Sequence, residues 1–326
     1  MQRRSITFMK TVLVTGACGI IGERVCSGLI KKNNMVIAAD TKPSEYNEFK
    51  VNYQYIQAGP LDDKIYAYIF REYNIDAVIH LACTVDNDFD NIVSPDKIKM
   101  SEKFDSYIYK MAVAAGVKQF ILLSTHQVYD IPKTREPIRE NDDIKCITNY
   151  AKLKYNSEQA LLRELKTTES MICAVVRCAP IYSLDFYDNL TSKIIDPKDN
   201  TAFVYRVGDY GFHFCCVHNL VEFILGFLLQ ADIKQFEGYY NVADQFITSA
   251  AEIIDYMRTN HKLGPVVQRK EKNETLKNII SIFSKNNEEI MNYRYLDYSK
   301  MFNNTMYDTT RAKKLCAFKW NIHNTK

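Results

Sequence analysis

The stretch that most constrains the fold of this chain lies between residues 10 and 40. An apolar, β-branched run is followed by three glycines, Gly16, Gly19 and Gly22, and then by a segment with apolar residues at helical spacing. A second apolar run, Met35–Ala39, ends in Asp40. This order predicts a strand, a glycine turn, a helix and a second strand, which together form the first βαβ unit of a parallel sheet.

The glycine turn has the spacing of a dinucleotide site, although an ordinary βαβ unit without a dinucleotide is the alternative. Glycine allows a tight turn, a close approach of backbone N–H groups to a pyrophosphate and close helix–strand packing, with the helix N-terminus facing the anion. A carboxylate at the end of the second strand can hold an adenosine ribose hydroxyl. Asp40 favours NAD over NADP because a 2′-phosphate would meet its charge, whereas Lys42 nearby favours the phosphate. The expected cofactor contacts here are Gly16, Cys18, Gly19, Ile20, Ile21, Gly22 and Asp40.

Strand-like and helix-like segments continue to alternate after Asp40. Buried strands are predicted at 53–57, 77–82, 120–124, 171–177 and 239–242, and helices at 64–73, 101–115 and 149–165. The alternation predicts an α/β fold, a doubly wound parallel (Rossmann) sheet with a smaller C-terminal α/β substrate lobe. We expect a disordered leader at 1–8, a cofactor domain at 9–179 and 213–245, and a substrate-binding lobe at 180–212 and 246–326.

Composition narrows the class of protein. The 326 residues are 47% hydrophobic, enough for a large core, and the net charge is only +3. Because no basic block and no apolar span or signal sequence is present, we expect a soluble, cytoplasmic protein that binds neither nucleic acid nor membrane. The nine cysteines lack metal-ligand spacing and predict reduced core thiols and no metal. Cys18 is the exception, because a helix N-terminus could lower its thiol pKa and make the cofactor site oxidation-sensitive.

Three further residues have the chemistry of a catalytic site. Tyr150 and Lys154 stand four residues apart on a predicted helix and project from one face. A lysine ammonium and a positively charged nicotinamide would lower the phenol pKa from its usual ~10 and make a proton shuttle, although such a pair alone is usually a surface pair. Thr125 follows a buried strand, at the sheet edge where ligands bind. Its hydroxyl can hydrogen-bond a substrate oxygen while Tyr150 moves the proton.

Together these elements resemble the extended short-chain dehydrogenase/reductase group, the NAD-dependent epimerase/dehydratase family. The resemblance covers nearly the whole chain and rests on residues 15–22, 40, 80–82, 123–129, 150–154, 158, 177–182, 240–242 and 308–313. It implies NAD on the glycine turn and on Leu81 and Ala82, with Asp40 on the adenosine ribose. It further implies Lys154 on the nicotinamide ribose, Tyr150 as acid/base and Thr125 as its hydroxyl partner. Many relatives are homodimers that pair the helices near 101–115 and 150–165, so a homodimer is expected.

The sequence departs from the family pattern where the reaction type is decided. Dehydratases of nucleotide sugars in this family carry an acidic pair directly after the threonine, and this pair protonates the leaving hydroxyl. Here the two positions are His126 and Gln127. The departure disfavours sugar 4,6-dehydration, although His126 can act as an acid or base in a different reaction.

Further departures concern the positions that hold a nucleotide sugar. Pro180 stands where nucleotide-sugar epimerases of the family usually carry an asparagine, and Phe212 stands where they carry an arginine for the diphosphate. Pro60 replaces a frequent adenine-binding aspartate. A conventional nucleotide-diphosphate sugar is therefore less favoured, unless Arg206 or Lys193 substitutes for the arginine.

The leading functional prediction is an NAD-dependent enzyme that oxidises a secondary alcohol of a sugar or sugar nucleotide. Returning the hydride to the opposite face would make it an epimerase, and releasing the ketone would make it a dehydrogenase. One alternative is a ketoreductase or dehydrogenase acting on a non-nucleotide metabolite. Another, from a different class, is a non-catalytic dinucleotide-sensing protein.

Overall fold

The computed structural model describes most of the chain. The described residues are 10–43, 51–60, 62–84, 93–131, 136–165, 171–196, 199–229, 234–270 and 301–325. The leader expected at 1–8 lies outside them, as does the polar segment 271–300. No helix within these ranges is long and apolar enough to cross a membrane.

A seven-stranded parallel sheet forms the centre of the molecule, in the order β3-β2-β1-β4-β5-β6-β11. The strands within the described residues are β1 Thr11–Thr15, β2 Met35–Asp40, β3 Tyr53–Gln57, β4 Ala77–His80, β5 Gln119–Thr125, β6 Ile172–Cys178, β7 Ile181–Tyr182, β8 Ala202–Tyr205, β9 Gly211–Phe212, β10 Cys215–Cys216, β11 Gly238–Val242, β12 Thr248–Ser249 and β13 Val266–Arg269. The strand order reverses between β1 and β4, which is the crevice where ligands bind in such sheets.

Helices cover both faces of the sheet. They are α1 Ile20–Lys31, α2 Asp63–Glu72, α3 Pro95–Ala114, α4 Asn149–Leu165, α5 Asp188–Thr191, α6 Val217–Leu228 and α7 Ala250–Asn260. Along β1 the side chains alternate, so that Val12 and Val14 enter the core shared with α1 and α6, whereas Leu13 enters the core shared with α2, α3 and α4. The doubly wound parallel fold predicted from the sequence is confirmed.

A third apolar cluster lies beside the sheet and joins segments that are far apart in sequence. It contains Tyr182, Tyr210, Phe214 and Ile253 among its buried side chains, and the short strand pairs β7–β10, β9–β12 and β8–β13 lie around it. The predicted division into a cofactor domain and a substrate lobe stays a prediction. Strand β13 was not among the strands predicted from the sequence.

Helix α3 begins earlier than the sequence interpretation placed it. The apolar spacing suggested a start at Ser101, but the helix begins at Pro95. Ser94 is its N-cap, and its side chain accepts a hydrogen bond from the Lys97 N–H at 3.3 Å, while proline is favoured in the first turn. The capping residues therefore decide this boundary.

A buried ion pair fixes helix α4 to the sheet. The Arg177 Nη2 and Nε donate to the two carboxylate oxygens of Glu158 at 2.7 and 3.1 Å, and Ser124 donates to the same carboxylate. The Arg177 and Glu158 side chains are 4% and 0% exposed. Removing one partner would leave an uncompensated buried charge, so the pair holds α4 in one orientation against β5 and β6.

Candidate active site

The glycine turn lies where β1 and β4 diverge, and two of its glycines are required by the backbone itself. Gly16 has a φ of +71°, and a Cβ there would stand 2.7 Å from the Ala82 nitrogen. A Cβ on Gly22 would stand 2.2 Å from the Gly16 oxygen. Both contacts are with backbone atoms that cannot swing away, so any larger residue would displace the turn.

Gly19 differs from the other two glycines. Its φ of −81° and ψ of 164° suit any residue, and a Cβ would meet the Gly16 oxygen at an ordinary 3.5 Å. Packing within the protein therefore gives no reason for glycine here. No side chain caps helix α1, so the first-turn N–H groups of Ile20, Ile21 and Gly22 are open to an anion. The arrangement fits a dinucleotide pyrophosphate lying over Gly19.

Asp40 ends β2 and faces the glycine turn. Its Oδ2 accepts the Cys18 N–H at 2.9 Å, and its Oδ1 accepts the Lys42 N–H at 3.0 Å. A carboxylate offers about four acceptor positions, so capacity is left for ribose hydroxyls. The turn and the carboxylate are thus held together by the protein alone.

The structure corrects the hypothesis of a reactive thiol at Cys18. Burial, together with the negative charges of Asp40 and Glu23, raises the pKa of Cys18 to about 11. Its Sγ lies 3.8 Å from the Lys42 carbonyl oxygen. The helix N-terminus does not outweigh burial and two carboxylates, so the thiol stays protonated and unreactive.

A chain of buried polar groups runs from the cofactor edge to helix α4. The Ala82 N–H donates to Thr15 Oγ1 at 3.4 Å, and this hydroxyl lies 2.7 Å from His80 Nδ1. His80 Nε2 lies 2.9 Å from the Asp105 carboxylate, which also accepts the Ser157 hydroxyl. Because a carboxylate only accepts, the proton is on Nε2 and Nδ1 accepts from Thr15. Sequence reasoning missed Asp105, whose only signal is a polar residue on the apolar face of α3.

The predicted catalytic pair lies on helix α4. Lys154 is buried, and its Nζ donates to the Leu123 carbonyl oxygen at 3.1 Å. An ammonium has three donors, so this bond leaves others for a ribose. Tyr150, one helical turn earlier, is half-buried and packs beside Val93 and Leu153.

Thr125 is joined to the helix of Tyr150 through Gln127, already noted as a departure from the dehydratase pattern, and through Thr148, which the sequence interpretation did not single out. Thr125 Oγ1 accepts the Gln127 N–H at 3.3 Å. The Thr148 hydroxyl donates to Gln127 Oε1 at 3.0 Å and accepts the Ala151 N–H at 3.0 Å, at the start of α4. The end of β5 and the first turn of α4 are therefore connected through Gln127 and Thr148.

Three aromatic rings pack against one another at the same sheet edge. His126 contacts Tyr307 with ring centroids 5.3 Å apart, and Tyr307 stacks on His213 at 5.7 Å. His213 Nε2 donates to the Asp244 carbonyl at 2.7 Å, and its Nδ1 accepts the Tyr307 N–H at 2.9 Å. His213 is therefore a structural histidine.

We expect the protein to lose stability as the pH falls from about 6.5 to about 4. Burial lowers the pKa of His213 from its ordinary 6.5 to about 4, so between these values the unfolded chain takes up a proton that the folded protein refuses. For His213 alone, linkage then costs about 3 kcal/mol of unfolding free energy. His126, whose pKa burial also lowers to about 4, adds to the loss, whereas Asp244, whose pKa burial raises to about 6, opposes it. Urea unfolding at neutral pH and near pH ~4.5 measures it. His213→Gln should reduce the slope, and an unchanged slope in this variant would contradict the assignment.

The substrate-side positions have a different character. Lys193 lies over the Phe212 ring, with its Nζ 5.7 Å from the centroid, and its charge acts on His126. Arg206 is instead exposed on the turn after β8 and pairs with Asp209 at 2.5 Å. Of the two cations considered for a diphosphate, Lys193 is therefore the one near the catalytic edge. Pro180 follows β6, and its carbonyl accepts the Cys215 N–H at 2.9 Å.

Comparisons with known proteins agree with this geometry. A model of the NAD dependent epimerase/dehydratase family matches residues 12–243. Two curated dTDP-D-glucose 4,6-dehydratases are similar: that of Dictyostelium discoideum is 30% identical over 157 residues, 44% of this chain and 34% of that protein. That of Mus musculus is 24% identical over 324 residues, 96% of this chain and 84% of that protein. The crystal structure of UDP-glucuronic acid 4-epimerase from Bacillus cereus, in complex with UDP-glucuronic acid and NAD, has a TM-score of 0.68 at 15% identity, covering 95% and 94% of the two chains.

The fold and the glycine turn define a Rossmann-type dinucleotide-dependent enzyme. Because the family model matches well over half of the chain, the protein belongs to the NAD dependent epimerase/dehydratase family. Its cofactor is accordingly NAD, and the family resemblance predicted from the sequence is confirmed.

Proposed function

We propose that this enzyme oxidises a secondary alcohol of a sugar nucleotide or a related sugar, with Thr125, Tyr150 and Lys154 as its catalytic residues. NAD, when bound, accepts the hydride from the carbinol carbon. Tyr150 takes the hydroxyl proton, Thr125 hydrogen-bonds the same oxygen, and Lys154 binds the nicotinamide ribose and favours the phenolate. Returning the hydride to the opposite face completes an epimerisation.

One observation carries this proposal. The link through Gln127 and Thr148 joins the end of β5 to the first turn of α4, at the edge of the sheet that also holds the glycine turn. A hydroxyl, a phenol and a buried ammonium thus belong to elements packed against one another beside the dinucleotide site. Mass spectrometry of small molecules released from the purified protein tests the proposal. Retained NAD with a sugar nucleotide is expected, and retention of a ligand without any secondary alcohol or ketone would contradict it.

We do not expect this chain to have the 4,6-dehydratase activity for which the two curated relatives are named. Dehydration of a sugar requires an acid to protonate the leaving hydroxyl, and the family's acidic pair is replaced by His126 and Gln127. Epimerisation or simple oxidation requires no such acid. We therefore favour epimerase or dehydrogenase activity.

A second candidate substrate class is a sugar-like metabolite without a nucleotide. The observation that favours it is Phe212, whose ring lies under Lys193 where a diphosphate-binding arginine is usual in the family. Saturable binding of UDP-, GDP- or dTDP-sugars would count against it, and turnover of a free polyol or its ketone would support it.

Asp40→Asn should shift the cofactor preference toward NADP. The amide keeps an oxygen for the Cys18 N–H but removes the charge that a 2′-phosphate would meet, so the ratio of kcat/KM for NADP to that for NAD should rise about tenfold or more. Steady-state kinetics with both cofactors measures this ratio. Lys42→Gln is the matched control and should move the ratio in the opposite direction. An unchanged ratio in Asp40→Asn would mean that the adenosine ribose does not bind at Asp40.

We also propose a cytoplasmic homodimer that pairs α3 and α4 with their symmetry mates. Support comes from the packing of these two helices side by side on one face of the sheet and from the family resemblance. The buried or half-buried positions of the cysteines, all of them free thiols, suit a reducing compartment. Light scattering showing only monomer at micromolar concentration would contradict the dimer.

A further inference from the structure

His126 occupies a position that the proposed catalytic residues do not use. It directly follows Thr125 at the C-terminal end of β5 and opens a short helical turn, His126–Val128. The side chain is therefore at the sheet edge where the reacting carbon is proposed to lie. The family's dehydratases carry an acid at this place in the sequence, so the protonation of this ring bears directly on the outcome of the reaction.

Hydrogen bonding fixes the position of the ring proton. His126 Nδ1 lies 3.1 Å from the Cys178 carbonyl oxygen at the end of β6. A carbonyl oxygen only accepts hydrogen bonds, so Nδ1 is the donor and holds the proton. In the neutral ring Nε2 then presents a lone pair. Within the described part of the chain Nε2 makes no hydrogen bond, and the His126 residue is only partly buried.

The surroundings keep this ring neutral. Burial, together with the nearby charge of Lys193, lowers the pKa of His126 to about 4. Tyr307 covers one side of the ring, and burial raises the pKa of its phenol, so it adds no negative charge. At neutral pH the lone pair of Nε2 therefore remains available.

The orientation of the ring is fixed from two sides. Tyr307 packs against His126 and is itself stacked on His213, which is tied to the Asp244 carbonyl and to the Tyr307 backbone. The bond to Cys178 holds the opposite edge. Because these contacts come from separate elements, they hold the ring in one orientation, and a ligand can approach Nε2 from one direction.

We propose, resting on the proposed function, that His126 determines which substrate is accepted. Its Nε2 accepts a hydrogen bond from a second substrate hydroxyl, which lies beside the oxidised carbinol. This hydrogen bond keeps the second hydroxyl on the sugar. Elimination of water from a keto sugar breaks a C–H bond and a C–O bond, and the hydroxyl leaves only after gaining a proton. A ring that presents a lone pair holds the hydroxyl and supplies no proton. The site thereby selects a polyol and prevents dehydration.

The first test measures binding and products with dTDP-glucose as the probe, together with analogues that each lack one hydroxyl. Asparagine mimics the Nδ1 side of histidine and can keep the bond to Cys178, whereas glutamine extends a polar atom toward the place of Nε2. His126→Asn should weaken dTDP-glucose binding to the NAD-loaded enzyme about tenfold or more and leave one of the deoxy analogues unaffected, while His126→Gln should restore part of the loss. Products of the unaltered enzyme should keep every hydroxyl oxygen by mass spectrometry. Equal losses for all analogues, or a dehydrated product, would overturn the proposal.

The second test needs no turnover and separates this inference from the proposed function. Nitrogen-15 NMR of the labelled protein at neutral pH should show the His126 ring protonated at Nδ1 only, assigned by the signal lost in His126→Asn. A proton on Nε2, or a charged ring, would overturn the inference even if the enzyme oxidises sugars. Absence of turnover with every secondary alcohol, alongside the expected ring signals and the deoxy-selective binding loss, would instead contradict the proposed function.

Discussion

We expect Tyr150→Phe to lower kcat by about 10²- to 10⁴-fold while NAD binds as tightly as to the unaltered protein. The change removes only the phenolic oxygen that is proposed to take the hydroxyl proton. The side chain keeps its ring beside Val93 and Leu153, so the fold is expected to stay intact. Single-turnover formation of NADH with a substrate sugar measures the effect.

The matched control for this prediction lies on the same helix. Tyr155 is also a half-buried tyrosine of α4, packed against the core that α1 and α6 share with the sheet. Tyr155→Phe should leave kcat within about twofold, since it removes a hydroxyl outside the proposed site. Near-normal turnover in Tyr150→Phe with intact NAD binding would refute the role of Tyr150.

Gly19→Ala and Gly22→Ala separate the cofactor requirement of the turn from its structural requirement. At Gly19 a methyl group meets nothing closer than 3.5 Å within the protein, so unfolding free energy should change by less than about 1 kcal/mol. NAD affinity should nevertheless fall about tenfold or more, because the methyl enters the space of the pyrophosphate. Calorimetric titration with NAD and urea unfolding of the same samples measure the two quantities.

Gly22→Ala, in contrast, should lower the stability of the fold as well as the affinity for NAD. A Cβ 2.2 Å from the Gly16 oxygen forces helix α1 away from the turn, so unfolding free energy should drop by about 1–3 kcal/mol together with NAD affinity. If Gly19→Ala bound NAD normally, the pyrophosphate would not lie over that residue.

Local sequence patterns predicted the sheet well because its strands are continuous apolar runs between helices of clear periodicity. Strand β3, Tyr53–Gln57, has the predicted bounds, and α4 begins and ends as expected. The start of α3 was wrong because a serine–proline cap, and not apolar spacing, sets it. Strand β13 was missed because it has only four residues and pairs with β8, a partner far away in sequence.

The candidate site was predictable where one residue type has one chemical use. The glycines of the turn, the aspartate at the end of β2 and the Tyr–Lys pair of α4 can be recognised in the sequence. Their functional roles remain predictions from the sequence. The links through Asp105 and through Gln127 with Thr148 were not predictable, because they depend on which helices pack against which strand ends. The thiol of Cys18 shows the same limit, since burial and neighbouring carboxylates set its pKa.

The two halves of the site differ in how freely they can change by mutation. A new side chain at Gly16 or Gly22 collides with main-chain atoms, whereas Phe212 is contacted by side chains, those of Lys193, Tyr210 and Phe214. Descendants of this chain could therefore acquire new substrates through single exchanges near Phe212 while inheriting the same hydride carrier. We therefore expect mutations to change which sugar this enzyme accepts more readily than they change its hydride-transfer chemistry.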